Sequence, residues 1–459
     1  MATNALRITE YDGGGDNVTA TYVQSQTGGS QSLSRVDAIP PVDLKSLWQK
    51  GVDVFLPVGY PHSVTDDYLE YQIYDSLQAF SSSIASLLSS RAVLSSVGVG
   101  DSSASPTAAL LLSIIQESAG RIATILFAHR FGTSLEPECK MYRLLADVLN
   151  DTAFILDCLS PVFPKPVRVL ILSFSSVLRA LCGVAAGSSK ASLSAHFARW
   201  GNLGELNAKD SSQETVISLV GMLVGSMVVS WITTPMATWA TLILLLSIHL
   251  ETNRRAVRAV KMRTLNRQRA TLVFHHLQRG HVPSIDQIAS EENIFERGGI
   301  LRCRERRILG FCAVGVPVTR LLNAVSSQRT STNAVQLEGE TLTKVMSIYE
   351  RCRYVLWKDK SLESSTPSLY IVLKKGIEPS EVLVAWWQAL LLVDGAVSEK
   401  SISKASSDID QELQRFKLTR DAARNLFSTY DKQLRQAGWD LNSGALETGA
   451  STRVTIEDK

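Results

Sequence analysis

Two short segments carry residue types and spacings suited to binding or catalysis, KMYRLLADVLND at 140–151 and AKDSSQET at 208–215. The candidate charged residues in them are Lys140, Arg143, Asp147, Lys209, Asp210 and Glu214. Lysine and arginine bind phosphate or carboxylate groups, and a neighbouring carboxylate can act as a general acid or base. We therefore predict a polar pocket for a phosphate-bearing metabolite or a lipid headgroup. In the alternative of an enzyme, Lys209, Asp210 and Glu214 are the acid/base candidates.

Both segments also have a purely structural interpretation. Arg143 and Asp147 lie four residues apart, so on a helix they form an ion pair worth a few tenths of a kcal/mol. Ser211 and Glu214 match the spacing of a capping box, in which each side chain accepts a backbone hydrogen bond at a helix start. In this interpretation the polar run closes the first turn of the apolar helix that follows it.

The longest uncharged stretch of the chain follows directly. No charged residue occurs from Val216 to Leu250, and one helix of that length would measure about 52 Å, against roughly 30 Å of bilayer hydrocarbon. The sequence TTP at 233–235 offers a break. We predict two membrane passes, or one pass and a re-entrant helix. The alternative for a soluble protein is a buried hairpin in a large helical core.

A run of basic residues follows this stretch, with no acidic residue between 253 and 269. Its members are Arg254, Arg255, Arg258, Lys261, Arg263, Arg267 and Arg269. Such a flank is typical of the cytosolic, matrix or stromal side of a membrane and contacts anionic lipid. Two passes would place residues 202–214 on the same side. Nucleic acid is not an expected partner, because no aromatic stacking residues lie between the basic ones.

The remaining sequence predicts a mainly α protein: a multi-helix, membrane-associated core followed by a small α+β C-terminal domain. Leu69, Ile73 and Leu77 begin an apolar face at helical spacing. Further helices are predicted at 107–130, 138–159 and 167–187. The helix at 167–187 contains two arginines, so we expect it to be buried or interfacial. The predicted domains are a disordered segment with one short strand (1–40), the helical core (41–335), the α+β domain (336–440) and a polar tail (441–459).

Several segments together resemble the root UV-B sensitive (RUS) family. They are FLPVGYPHSVTDDYLEYQIYDSLQA at 55–79, VGVGD at 97–101, KMYRLLADVLND at 140–151 and NLGELNAKDSSQET at 202–215, and the resemblance spans roughly 45–440. Residues matching the family pattern extend the predicted pocket by Tyr68, Gln72, Asn150, Asn202 and Gln213. Ser211 departs from the pattern, which has glycine there.

The resemblance implies an intracellular membrane protein without an established enzymatic activity. We therefore expect a non-enzymatic adaptor or a binder of a small molecule or lipid headgroup, with membrane lipids and copies or paralogues of itself as partners. The sequence identifies no cofactor. Its cysteines and histidines lack the spacings of a metal site, so no metal is predicted.

Overall fold

The computed structural model describes residues 6–11, 18–26, 34–39, 55–96, 106–329, 335–337, 341–359, 366–395 and 408–456. The protein is mainly α, with a small sheet-containing C-terminal region, as the sequence predicted. It divides into two compact units that alternate along the chain. The first unit comprises Met1–Gly100 and Lys190–Ala259, and the second comprises Asp101–Ser189 and Val260–Lys459. The successive domain bounds given above stay predictions.

The elements within the described residues are numbered in chain order. The helices are α1 Tyr68–Ser96, α2 Pro106–Phe131, α3 Cys139–Leu159, α4 Lys165–Phe197, α5 Leu203–Trp231, α6 Pro235–Ala259, α7 Arg267–Leu277, α8 Ile285–Glu291, α9 Val318–Val325, α10 Thr341–Ile348, α11 Pro379–Asp394 and α12 Asp408–Gln436. The strands are β1 Arg7–Tyr11, β2 Val18–Gln26, β3 Ser34–Ile39, β4 Ile300–Arg302, β5 Ile308–Val314, β6 Ser326–Arg329, β7 Val335–Leu337, β8 Tyr354–Lys358, β9 Ser368–Lys374 and β10 Arg453–Val454.

The N-terminal segment contains more structure than the predicted single strand. β1, β2 and β3 form an antiparallel sheet in that order, with Thr9 opposite Thr21 and Val23 opposite Asp37. β2 is rich in threonine, valine and tyrosine, which favour strands, and its neighbours satisfy its backbone groups on both sides. The predicted disorder therefore does not describe 6–11, 18–26 or 34–39, while the rest of 1–40 lies outside the described residues.

Three long helices form the rest of the first unit. α1 runs parallel to α5, because contacts step along both helices together: Gln72 meets Asp210, Gly221 lies beside Ser83, and Arg91 reaches the Ile232 carbonyl. α6 runs antiparallel to α1, since Gln78 contacts His249 and Arg91 contacts Thr238. Gly221 and Gly225 allow the close approach of α5 to α1.

The predicted break in the uncharged stretch is confirmed. α5 ends at Trp231 and α6 begins at Pro235, whose missing N–H is tolerated at the first turn of a helix. The capping interpretation of Ser211 and Glu214 is wrong, because α5 begins at Leu203 and both residues lie within it. The polar run is compatible with a helix, so nothing in it forces a start there.

The face of α1 that points inward is the opposite of the predicted one. Leu69, Ile73 and Leu77 are 44–53% exposed, whereas Gln72, Asp75 and Gln78 are 6–8% exposed. The same holds for α3, where Lys140, Arg143, Asp147 and Asp151 are buried and Val148 and Ile155 are exposed. In both helices the polar stripe faces protein and these apolar residues are exposed, while other apolar residues, among them Ile84, Leu88, Leu144 and Phe154, are buried beside the polar stripe.

The second unit combines α2, α3 and most of α4 with an α+β region. There the strands are ordered β4–β5–β9–β8, with β5 and β9 parallel and the other two pairs antiparallel. The predicted strands RCRYVLWKD and SLYIVLKKG and the helix EPSEVLVAWWQALLLV are present as β8, β9 and α11. α11 is buried on most sides; its Trp386 and Trp387 are fully buried and donate to Thr271 and to the Ala270 carbonyl.

The C-terminal segment is more integrated than a polar tail. Leu441, Ala445 and Leu446 are buried, and β10 pairs in parallel with the end of β9. The sheet also includes β4 and β5, which precede residue 336. These apolar residues are too few to be recognised as a strand or a helix in the sequence. They are nevertheless sufficient to pack this segment against the core of the second unit.

Among the described residues, three helices are long and apolar enough to cross a membrane: Leu110–Ser134, Lys165–Phe197 and Leu203–Trp231. Of the two predicted passes, the first lies in Leu203–Trp231, whereas the second, at 236–250 in α6, is not among these three helices. The sequence predicts that 167–187 is buried or interfacial, but Lys165–Phe197 exposes Leu170 and Phe174, and its Arg179 pairs with the buried carboxylate of Asp157. This pairing reduces the cost of placing an arginine within a span.

We predict that replacing Gly221 with leucine weakens the packing of α1 on α5. A Cβ at residue 221 would lie 2.8 Å from the Ser83 Cβ and 3.1 Å from the Phe80 carbonyl oxygen, so the free energy of unfolding should fall by about 1–3 kcal/mol or more. Thermal unfolding in detergent measures the effect.

Gly204→Ala is the matched control on the same helix, because no atom lies within 4 Å of its added Cβ. This variant should keep or raise the unfolding temperature, since alanine favours helix over glycine by about 0.5–1 kcal/mol. Equal behaviour of the two variants would contradict the packing described here.

Candidate functional site

A hydrogen-bonded polar cluster joins α1, α4 and α5 in the first unit. The Gln72 amide lies 2.6 Å from Asp210 Oδ1 and 2.6 Å from Gln213 Oε1. The Gln213 amide in turn donates to the Phe55 carbonyl at 2.7 Å. We call Gln72, Lys190, Asp210, Gln213 and Glu214 the Gln72 cluster.

Lys190 bridges the two carboxylates of this cluster and compensates one of their two negative charges. Its Nζ lies 2.7 Å from Asp210 Oδ2 and 2.6 Å from Glu214 Oε2. Asp210 is buried and both of its oxygens have partners, which makes it a poor candidate for a general base. The cluster holds α4 and α5 together and has no surplus positive charge to attract a phosphate group.

Three other predicted residues, Tyr68, Asn202 and Lys209, also belong to the first unit. Tyr68 is buried, with its ring edge-on to Phe197 at 5.5 Å. Lys209 is half-buried. Asn202 precedes α5 without capping it, and its side-chain amide is buried without a hydrogen-bond partner among the described residues.

Two further buried polar pairs lie in the first unit. His196 Nε2 is 3.0 Å from Asp67 Oδ2, with both side chains at most 5% exposed. Gln78 Nε2 is 3.1 Å from His249 Nε2, and these residues are also buried. Because the amide nitrogen donates, His249 Nε2 is the acceptor, which assigns the proton of a neutral imidazole to Nδ1.

In the second unit, Lys140 belongs to a buried charge network. Its Nζ donates to Glu292 Oε2 at 2.8 Å and to the Val260 carbonyl at 2.9 Å. Arg269 donates to Glu292 Oε1 at 2.6 Å and to the Thr264 carbonyl. The two cations lower the pKa of the Glu292 carboxyl against the effect of its burial, so Glu292 is ionised. The network ties α3 to α7 and to the end of α8.

Arg143 and Asp147 form the predicted ion pair, at 3.2 Å, but in a buried setting. Asn150 is half-buried one turn farther along α3. The predicted pocket residues thus fall into two sets, one in each compact unit. Their assembly into one joint pocket stays a prediction.

Glu138 sits beside the same network, and its carboxyl has a raised pKa. Burial raises its pKa from 4.5 to about 7, and the negative charge of Glu292 acts in the same direction. Arg269 and the Asn266 amide, 3.1 Å away, oppose the shift. Glu138 therefore changes charge near neutral pH.

The basic run is distributed over two elements. Arg254 and Arg255 lie at the end of α6 and share the carboxylate of Glu251, whereas Arg258 is exposed. Lys261 pairs with Asp286, and Arg263 is half-buried. The acidic partners lie outside 253–269, so the sequence run concealed them. Contact of Arg254, Arg255, Arg258, Lys261 and Arg263 with a membrane surface stays a prediction.

Comparison with known proteins identifies the family. A family model described as the vitamin B6 photo-protection and homoeostasis domain matches residues 42–280. The chain is 31% identical to protein root UVB sensitive 3 of Arabidopsis thaliana over 369 residues, 78% of each protein. The chain belongs to the RUS family. The chain is also 42% identical in sequence to RUS family member 1 of Dictyostelium discoideum over 247 residues. The matched region covers 53% of this chain and 47% of that protein. No solved structure matches the chain.

The family match includes the whole Gln72 cluster and Lys140, but ends before Glu292. Sequence reasoning missed Lys190, His249 and Glu292 as partners. Lys190 and His249 had a usable signal, because each is a polar residue within an apolar helix of a RUS protein and therefore needs an internal partner. Glu292 had none, since it lies 152 residues from Lys140 in an ordinary polar segment.

We predict that Glu292→Gln is strongly destabilising. The change leaves Lys140 and Arg269 buried without their anion, and removing one partner of a buried ion pair costs about 3–5 kcal/mol. Lys140→Met should lower the free energy of unfolding clearly less, because Glu292 still has Arg269 as its ion-pair partner. Chemical or thermal unfolding of both variants in detergent tests the ranking, and the reverse order would refute the assignment of Glu292 as the shared anion.

We also predict a pH-dependent effect of Glu138→Gln. A carboxyl whose folded pKa is raised from 4.5 to about 7 supports folding below pH 4.5, and that support is lost as pH rises through 7. The variant, which cannot ionise, should therefore exceed wild type in stability by about 1–3 kcal/mol above pH ~8 and lose this advantage below pH ~5. Unfolding temperatures measured across pH check this; a pH-independent difference would contradict the raised pKa.

Proposed function

We propose that this RUS protein is an integral membrane protein whose first unit crosses the bilayer through α5, which is long and apolar enough to do so alone, and through α1 and α6, which are not among the helices that qualify alone. The inverted faces of α1 carry the proposal: Gln72, Asp75 and Gln78 face protein, while Leu69, Ile73 and Leu77 face outward. Water would select the opposite arrangement. A hydrocarbon environment favours polar residues inside a bundle, where they find partners.

The distance along α1 between its first and last polar contacts with α5 supports the same proposal. Gln72 and Arg91 bound the polar contacts of α1 with α5, and 19 residues of helix span about 28 Å, close to the thickness of bilayer hydrocarbon. Between these two contacts α5 and α6 contribute exposed apolar side chains. These are Leu219, Val220, Met222, Leu223, Met227, Ile243, Leu244 and Ile248.

Arg91 fits the far end of such a bundle. Its guanidinium donates to the Val229 and Ile232 carbonyls, which end α5, and to the Thr238 hydroxyl near the start of α6. Carbonyls at the end of a helix have no partner in the next turn, so in lipid they need an internal donor. The arginine supplies that donor at the turn between the two passes.

The Gln72 cluster supports a binder or adaptor rather than an enzyme that uses Asp210. Asp210 is buried, with one oxygen paired with Lys190 and the other accepting from Gln72. A general base needs an accessible lone pair directed at its substrate. The matched family is described as a vitamin B6 photo-protection and homoeostasis domain, which leads us to propose vitamin B6 homoeostasis as the process in which this membrane protein acts.

We predict that α5 and α6 form a membrane hairpin with both outer ends on one side. Single cysteines replacing Gly204 and Arg255 should react with an impermeant maleimide from the same side of sealed vesicles. A cysteine replacing the exposed Trp231 or Met236 should react only from the other side. The unsubstituted protein measures the background of its own thiols, and labelling of all sites from one side would exclude the hairpin.

The proposed process has its own test. Cells lacking this protein should lose phosphorylated vitamin B6 forms faster under UV-B light than cells that contain it, and the full-length chain should restore them. A chain lacking 216–250 should not, because it loses the proposed anchor. Unchanged vitamin levels in light and dark would contradict the proposed process while leaving the membrane topology intact.

A further inference from the structure

The second unit contains a cavity of about 210 Å³ that the sequence did not indicate. One wall is a face of α7, including Arg267, Thr271 and His275. The opposite wall is the segment 293–306, which contains Gly298 and Gly299 and leads into β4 and the turn after it. A cavity needs a volume of only about 10–15 Å³ to hold one water molecule, so this cavity has room for a small organic molecule.

Positive charge dominates the lining of the cavity. The charged and titratable residues are Arg267, Arg279, Arg297, Arg302, Arg304, Arg306, His275, His276, Glu138, Glu291 and Glu296. Two of the three glutamates are occupied: Glu296 pairs with Arg302, and Glu291 pairs with His276. The third, Glu138, carries the raised pKa described above and is partly protonated near neutral pH.

Five of the six arginines have no carboxylate within ion-pair distance among the described residues. Arg267 donates to the Leu446 carbonyl and lies over the Trp386 ring, and Arg297 lies over the Phe311 ring at 5.0 Å. Arg306 donates to the Glu291 carbonyl. Arg279 and Arg304 are exposed. Burial lowers the pKa of Arg267, a sign that its charge lacks compensation.

The glycines give the inner wall its shape. Gly299 has a φ of +81°, and a Cβ there would lie 2.7 Å from the Cys312 carbonyl oxygen. At Gly298 a Cβ would lie 3.5 Å from Arg267 Nη1. Gly299 thus keeps the chain close to β5, and Gly298 adds no side chain beside the guanidinium of Arg267.

We propose that this cavity binds a small phosphate monoester, through Arg267 at its inner end and Arg279 and Arg304 at its mouth. A phosphate supplies the two negative charges that the unpaired arginines lack, and guanidinium groups bind its oxygens in a forked geometry. The remaining space accepts the organic part of the ester. The site is separate from the Gln72 cluster and does not depend on the membrane topology.

The same phosphate group can belong to a soluble metabolite or to the headgroup of a lipid such as phosphatidate. Isothermal titration calorimetry on the full-length protein in neutral-lipid nanodiscs distinguishes them, with inorganic phosphate and short-chain phosphatidate as the two probes. If inorganic phosphate binds saturably and phosphatidate binds with no higher affinity, the ligand is a soluble metabolite. At least about tenfold tighter binding of phosphatidate indicates a headgroup.

Charge removal at the mouth provides the decisive comparison. Arg279→Gln with Arg304→Gln should weaken binding of either probe by about tenfold or more, because two charge-assisted hydrogen-bond donors are lost. Lys417→Gln with Lys432→Gln removes the same charge from exposed positions of α12 outside the cavity and should leave binding unchanged. Equal unfolding temperatures of the two double variants verify that both are folded.

Two results would overturn the proposal. One is the absence of saturable binding of both probes by the wild-type protein. The other is equal weakening by the cavity variant and the α12 variant, which would show only a general effect of net charge. Higher salt should weaken specific binding as well, since it screens partly exposed charges, but it should not erase the difference between the variants.

Discussion

Buried hydrogen bonds between polar side chains of α1 and those of α5 and α6 are the constraint on which the first unit depends. Gln72 contacts Asp210 and Gln213, and Gln78 contacts His249. Each contact fixes the rotation of α1, because the polar stripe can find partners in only one orientation. Leu69, Ile73 and Leu77 of α1 are then turned outward, where a lipid environment suits them and water does not. The membrane proposal follows from this one arrangement.

The second unit has a corresponding constraint in its charge network. Glu292 compensates Lys140 and Arg269 at once, so the start of α3, the first turns of α7 and the end of α8 are ordered together. The helix α7 that is anchored through Arg269 also lines the basic cavity, with other residues that include Arg267, Thr271 and His275. The family match ends at residue 280, so the two cavity walls lie on either side of that boundary.

Helix positions and the β8–β9–α11 region were predictable from the sequence, because turn residues and apolar periodicity are local signals. The break before Pro235 was also predictable, from the length limit of a membrane span. The faces of α1 and α3 were not, since periodicity locates an apolar stripe but does not say whether water or lipid lies outside. The capping interpretation of Ser211 and Glu214 failed for a related reason. A local motif matched, while the actual partner of Glu214 is Lys190, 24 residues earlier.

The central claim, that the exposed face of α5 lies in lipid, is tested most directly by the accessibility of spin labels to oxygen and to a water-soluble nickel complex. Labels would replace Val216, Leu219, Leu223, Met227 and Trp231 in turn, in protein reconstituted into bilayers. The account predicts that oxygen accessibility is highest at Leu223 and falls toward both ends, with nickel accessibility showing the opposite profile. High nickel accessibility at Leu223 and Met227 would place this face in water and contradict the account.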